Sequence, residues 1–227
     1  MIVALYFWKI RASGVPLAIA HMAFDRTRLK KLQRKKFISF YKLLGTGKGE
    51  SFTPTDADPL RWGLLVCLDE DNLAIFDNSK LINNWRRFAT SESRFELVPI
   101  SSRGLWAGIE PFEITAMPDW NGSIAALTRA RIVAKKNLQF WRAVPPVTTT
   151  LHASPGLQLA IGIGEAPIGL QGTFSVWKSA AELLNFAYKG IEHQKVIAAT
   201  QANQWYSEEL FARFAVISQR GELDQPQ

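Results

Sequence analysis

The sequence predicts an α+β fold built from a duplicated ferredoxin-like unit, each copy running β-α-β-β-α-β. Three observations carry this. Apolar, β-branched and aromatic runs alternate with helical stretches in that order, and the order occurs twice. Landmarks recur at one spacing: Gly45 as Gly162, Gly47 as Gly164, Ile100 as Ile217, Arg103 as Arg220 and Gly104 as Gly221, each 117 positions on. The composition, 47% hydrophobic and 21% charged over 227 residues, suits a packed core of that size. Between the landmarks the offset falls to 110, with Leu73 mapping to Leu183 and Phe76 to Phe186. The first copy therefore carries extra residues in its Gly-rich loop, and the second carries them in its helical region. The expected copies are residues 1–112 and 113–221, forming one compact unit, with a disordered polar tail at 222–227. One four-stranded sheet buries only one face under its helices. The second copy covers the other face, which predicts a barrel or closed sandwich with a large interior.

In the first copy, Ile2–Ile10 reads as a buried strand. Ser13 is the expected cap of the next helix, with Pro16 in its first turn. That helix runs through Leu17, Ala20 and Phe24 into a basic segment. Phe37–Leu44 is a strand, ended by Gly45-Thr46-Gly47 read as a tight turn. After a polar loop, Trp62–Leu68 is a strand and Asp69 caps one helix reaching about Phe88. Phe95–Ile100 is a strand, stopped at Arg103-Gly104. In the second copy Ile124–Val133 is a strand, and residues 137–153 look helical with a break at Pro145-Pro146. Leu157–Ile161 and Thr173–Trp177 are strands, and Ser179 caps a helix carrying Leu183, Leu184 and Phe186. Glu192–Gln204 reads as helical, and Leu210–Ile217 is the last strand.

The net charge is +7, and seven cations lie between Arg26 and Lys36 with no acid among them. The rest of the chain is balanced. Such a segment suits an anionic membrane surface, and a solvated helix end is the plain structural alternative. No nucleic-acid motif stands beside it, so nucleic acid is not an expected partner. The single cysteine, Cys67, excludes an internal disulfide and a Cys-rich metal centre, and mid-strand it reads as a buried inert thiol. No apolar run is long enough to span a bilayer, and Ile2–Trp8 lacks the flanks of a signal peptide. The expected location is cytoplasmic, peripheral to a membrane if the basic segment docks there.

Gly45-Thr46-Gly47-Lys48-Gly49 fails the spacing of a phosphate loop, and Pro167 stands where a dinucleotide fingerprint needs its third glycine. His21 and Asp25 are four apart on a helix and read as a surface pair. His193 shares a helical face with Ile197 and Thr200. It is either a satisfied, partly buried histidine or an axial ligand to heme iron. Tryptophans spread over both halves, such as Trp8, Trp62, Trp106 and Trp177, suit a barrel lined for a large apolar ligand.

Several stretches form a recognisable set. They are Phe40-Tyr41-Lys42-Leu43-Leu44-Gly45-Thr46-Gly47-Lys48-Gly49 with Phe52-Thr53-Pro54, and Ser102-Arg103-Gly104-Leu105-Trp106-Ala107-Gly108 with Pro111-Phe112. Leu127-Thr128-Arg129-Ala130 with Phe140-Trp141, and Gly162-Ile163-Gly164-Glu165-Ala166-Pro167, follow. His193 and Trp205-Tyr206-Ser207-Glu208-Glu209-Leu210-Phe211-Ala212-Arg213-Phe214 complete it. Together they resemble the spheroidene monooxygenase family of carotenoid biosynthesis over residues 37–214. The resemblance implies an O2-dependent enzyme that introduces oxygen at C-2 of an acyclic carotenoid, giving a hydroxyl and then a keto group. It implies heme as cofactor and the dimeric α/β-barrel superfamily as fold. His193 falls on the family's late histidine, as the iron ligand. Arg103, Trp141 and Trp205 are implied around the cofactor, and Arg129 and Glu165 as catalytic residues. Arg129 would hold a heme propionate or a structural carboxylate, and Glu165 would relay protons or cap a turn. Without a flavin or nicotinamide site, electrons are expected from an external donor such as ferredoxin. A homo-oligomer is allowed. Two other readings stay open: another heme enzyme on this fold, dehydratase or peroxidase-like, and a non-catalytic binder of heme or an apolar ligand.

Overall fold

A computed structural model of the chain describes residues 1–48, 56–136, 145–165, 172–189 and 205–221. The strands are β1 (Ile2–Ile10), β2 (Phe40–Gly47), β3 (Ala57–Leu68), β4 (Ala89–Gly104), β5 (Ile124–Ile132), β6 (Leu157–Gly164), β7 (Gly172–Trp177) and β8 (Tyr206–Arg220). They close into a barrel in the order β1-β3-β2-β6-β7-β5-β8-β4, with every pairing antiparallel. The helices among the described residues are α1 (Val15–Arg34), α2 (Glu70–Asp77), α3 (Lys80–Phe88), α4 (Pro145–His152) and α5 (Ala180–Lys189). The fold is thus a mixed α/β antiparallel barrel. The first four strands lie side by side as β4-β1-β3-β2, and the last four as β8-β5-β7-β6.

The two seams between these groups differ. At one, β4 and β8 pair from Arg94 opposite Arg220 to Gly104 opposite Leu210. At the other, β2 meets β6 over only Gly45, Thr46 and Gly47 opposite Gly164, Ile163 and Gly162. The predicted turn at Gly45-Thr46-Gly47 is therefore strand. Its glycines lie against the glycines of β6, where the lack of side chains lets two backbones meet. From Leu44 back to Phe40, β2 pairs among the described residues with β3.

The alternation of side chains sorts the core into layers. Inward-facing Val3, Leu5 and Phe7 of β1 join Phe95, Leu127, Phe174 and Phe214 in one cluster drawn from both halves. Outward-facing Tyr6 and Trp8 pack instead with Trp62, Phe76 and Trp85 under α1, α2 and α3. A smaller outer cluster on the second sheet contains Ile124, Ala126, Leu151, Ala160, Trp177 and Leu183. The expected large interior is corrected: phenylalanine and aliphatic side chains fill it. Each such buried side chain contributes about 1.5–3 kcal/mol, which favours a filled barrel. Trp8, Trp62 and Trp177 lie outside it, and Trp106 alone of the four tryptophans cited joins the inner cluster.

Other local expectations shift. The single helix after Asp69 is two, because Ser79 starts α3 by accepting from the backbone N–H of Ile82 at 3.4 Å. Ser13 lies in a short 3-10 turn, and Gly14 is the N-cap of α1. His21 and Asp25 are no surface pair: Asp25 is fully buried, accepting from Trp85 Nε1 at 2.9 Å and Arg28 at 2.9 Å. The His21 ring stacks on Phe88. Cys67 is buried as expected, and burial pushes its thiol up. The expected helix at 192–204 and the tail at 222–227 lie outside the described residues.

Candidate functional site

The inward lining formed by β2, β5, β6 and β8 is apolar until it nears the end where the short seam opens. There it turns ionic. Lys42 lies between Phe40 and Leu44 on the inner face of β2, and Arg129 follows Ala125 and Leu127 on β5. Glu165 follows Ile163 at the end of β6, and Glu208 precedes Leu210 on β8. The four side chains meet. Lys42 Nζ donates to Glu165 Oε2 at 2.6 Å, across the seam where the β2–β6 ladder has stopped. Arg129 Nη2 donates to Glu165 Oε1 at 2.9 Å, and Trp106 Nε1 donates to the same oxygen at 2.7 Å. Arg129 Nη1 binds Glu208. Glu208 also accepts the backbone N–H groups of Ala107 at 3.1 Å and Gly108 at 2.7 Å. The loop at 105–109 is thereby tied to the cluster. Its tip has Ala107 and Gly108 at φ 58° and 78°, a left-handed turn that presents both N–H groups to one carboxylate.

Burial would raise Glu165, but the hydrogen bonds from Lys42 and Trp106, with the charges of Lys42 and Arg129, outweigh it and hold the carboxyl below its ordinary range. Glu208 is lowered in the same way, its burial opposed by the Gly108 N–H and by Arg129. At neutral pH the cluster is two carboxylates facing two cations. The Arg129 side chain is 2% exposed, and its Nε–H has no partner among the described residues. A cleft of about 270 Å³ opens beside the cluster. Arg26 and Gln33 of α1, Tyr41 and Lys42 of β2, Ile109 of the loop, and Glu165 are among its walls.

Arg129 and Glu165, expected as catalytic, are brought into direct contact. Of the two readings of Arg129, its visible partners are carboxylates. Arg103 is elsewhere: its side chain is 84% exposed, with Glu209 at 3.9 Å. Trp205 is buried beside β5, where its carbonyl accepts from Val133 N–H at 2.8 Å. His193 and Trp141 lie outside the described residues. Lys42 and Glu208 were missed. The available signal was a charge at an alternate position in an otherwise apolar inward-facing series.

A second feature lies on the outer face of the second sheet. The first sheet offers Tyr6, Trp8, Trp62 and Leu64 to its helices. The corresponding rows of the second offer Ala126 and Thr128 on β5, Ser175 and Thr173 on β7, and Ala160 and Gly162 on β6. This small-residue surface runs to the short seam, where Gly162 and Gly164 meet Gly47 and Gly45. It ends where the cleft begins.

No protein-family model matches the chain. It is 36% identical over 213 residues to a spheroidene monooxygenase of Rhodobacter capsulatus, covering 92% of this chain and 87% of that protein. It is 33% identical over 188 residues to a spheroidene monooxygenase of Cereibacter sphaeroides, covering 82% of this chain and 58% of that protein. Among solved structures, an aldoxime dehydratase superposes with a TM-score of 0.55 at 11% identity, covering 97% of this chain and 83% of that one. At that identity the likeness is one of fold.

Proposed function

This chain belongs to the spheroidene monooxygenase family, and we propose on that premise that it oxygenates an acyclic carotenoid at C-2. The relationship over 92% of the chain is the observation that carries the reading. In such a reaction one atom of O2 enters a C–H bond of the polyene and the other leaves as water. The two electrons come from an external donor such as ferredoxin. The matching strand orders β4-β1-β3-β2 and β8-β5-β7-β6 support reading the barrel as a duplicated ferredoxin-like unit, copies 1–112 and 113–221.

Heme is the proposed cofactor, and the small-residue surface of the second sheet fits it. Ala126, Ala160 and Gly162 bring little side-chain bulk to that face, where Ala126 and Ala160 pack with Leu151 and Leu183. The filled barrel interior offers no space for a flat macrocycle. His193 would hold the iron; α5, the helix preceding it, packs against this sheet through Leu183 and through Phe186, whose ring centroid is 5.2 Å from that of Trp177. Bound heme supplies the activation of O2. The chain supplies the rest. The cleft is too small for a whole polyene, since drug-sized ligands already need roughly 300–1,000 Å³. It takes the end group, whose C-2 lies near the chain terminus, and leaves the long conjugated part outside. Phe40 and Trp106 flank the Lys42 ammonium, with both ring centroids 5.6 Å from Nζ. Glu165 lines the cleft and touches the end group, and Arg129 holds Glu165 in place.

The test is expression with a heme supply, comparing absorption spectra of the parent and His193→Ala, then product analysis with an acyclic carotenoid, O2 and reduced ferredoxin. A Soret band lost or shifted in the variant, with an oxygenated product from the parent, is expected. Folded parent without a Soret band would sink the heme assignment. Absence of any O2-dependent product would sink the carotenoid reading.

A further inference from the structure

We propose that the cleft between α1, β2 and the 105–109 loop opens onto an anionic lipid surface. The cations of α1 lie at the headgroups, and Leu105 and Ile109 are set into the acyl boundary.

Helix α1 buries Ala18, Asp25 and Leu29 against the sheet. On its cleft side, Ile19, Arg26, Lys30 and Gln33 recur at spacings of seven, four and three. Arg26 and Gln33 line the cleft, and Ile19 is 54% exposed. Asp25, the acid nearest the basic segment, is buried and occupied by Arg28 and Trp85, and no other lysine or arginine of α1 has an ion pair among the described residues. The facing loop lines the cleft through Ala107 and Ile109, and its large apolar side chains are exposed, Leu105 at 40% and Ile109 at 47%. It is also held rigidly. Trp106 N–H donates to Ile109 O at 2.8 Å, and Glu208 grips the backbone of Ala107 and Gly108. The side chains of Leu105 and Ile109 join none of the hydrophobic clusters among the described residues. A basic rim facing an apolar one suits a peripheral contact with anionic lipid, where cations meet the headgroups and apolar side chains add burial. No helix among the described residues is long and apolar enough to cross a membrane, so the contact lies in the plane of the surface. Nucleic acid would use the cations and leave the apolar rim in water.

The lipid contact stands on the surface alone. That it receives a polyene end group rests on the proposed function. Co-flotation of the heme-loaded full chain with phosphatidylcholine vesicles, and with equal mixtures of phosphatidylcholine and phosphatidylglycerol, tests it. Binding about tenfold or more tighter to the anionic vesicles is expected. Lys30→Glu with Lys31→Glu should remove most of that preference, and Leu105→Asp should weaken binding to the anionic vesicles with its circular dichroism unchanged. Equal binding to both vesicles overturns the proposal, as does parental binding by both variants. Binding to duplex DNA in place of vesicles, lost in the charge variant, also overturns it and assigns the surface to nucleic acid. Turnover of a detergent-solubilised carotenoid is measured separately. Its absence in the parent counts against the proposed function and leaves the vesicle result untouched.

Discussion

Glu165 shows how much one carboxylate does at the open seam. One oxygen binds Lys42, and the other is shared by Arg129 and Trp106. Glu208 and Asp77 are likewise held as carboxylates, Asp77 by Arg94 and Arg86 against the effect of its burial. A carboxylate whose folded pKa lies below its unfolded value stabilises the protein above the ordinary carboxylate range. That contribution is lost as pH falls through the lowered folded value. Unfolding free energy from urea titrations should therefore be flat above about pH 5 and fall steadily below about pH 4. Glu165→Gln should be less stable at neutral pH, by about 2–3 kcal/mol, and less sensitive to acid. Equal acid slopes in parent and variant would show that Glu165 carries none of it. The sequence pointed to Arg129 and Glu165 through resemblance. It could not show that Lys42, 123 positions before Glu165, would meet the same carboxylate.

The strands and helices were legible where their periodicity is local. β1 has the expected bounds, because an unbroken apolar run has no other use in a soluble core. The edges were not. β4 and β8 run well past their expected ends at the seam where they pair, because ladder hydrogen bonds extend polar residues that show no pattern of their own. Asn78 and Ser79 break a helix that apolar spacing alone joins, since a capping hydroxyl competes with helix continuation. Gly104 was expected as a strand stop, and its backbone at φ 96° bears this out. A Cβ there would come within 2.1 Å of Glu209 O. Gly104→Ala should destabilise by about 2 kcal/mol or more, read as a lower thermal midpoint, because both the conformation and the β8 backbone oppose it. Gly108→Ala, in open space at φ 78°, should cost less.

The barrel unites the chain. Its inner cluster draws Phe7 and Phe95 from the first half and Leu127, Phe174 and Phe214 from the second. The halves therefore share one inner core, beside the outer cluster that each packs under its own helices. Calorimetry should show one transition, with equal calorimetric and van't Hoff enthalpies, and Phe7→Ala and Phe174→Ala should each shift it whole, by about 3–5 kcal/mol. Two resolved transitions would mean that the halves unfold independently. Composition, periodicity and the 117-residue spacing were enough for the element order and the basic segment, and the motif stretches resembled the family. Each is written in neighbouring residues or in repeated motifs. The filled interior, the short seam latched by Lys42 and Glu165, the pairing of a basic helix with an apolar loop around one cleft, and the contrast between the two outer faces emerged only on folding. Those features depend on which distant residues meet when the barrel closes, and contacts across such separations leave no local period to read.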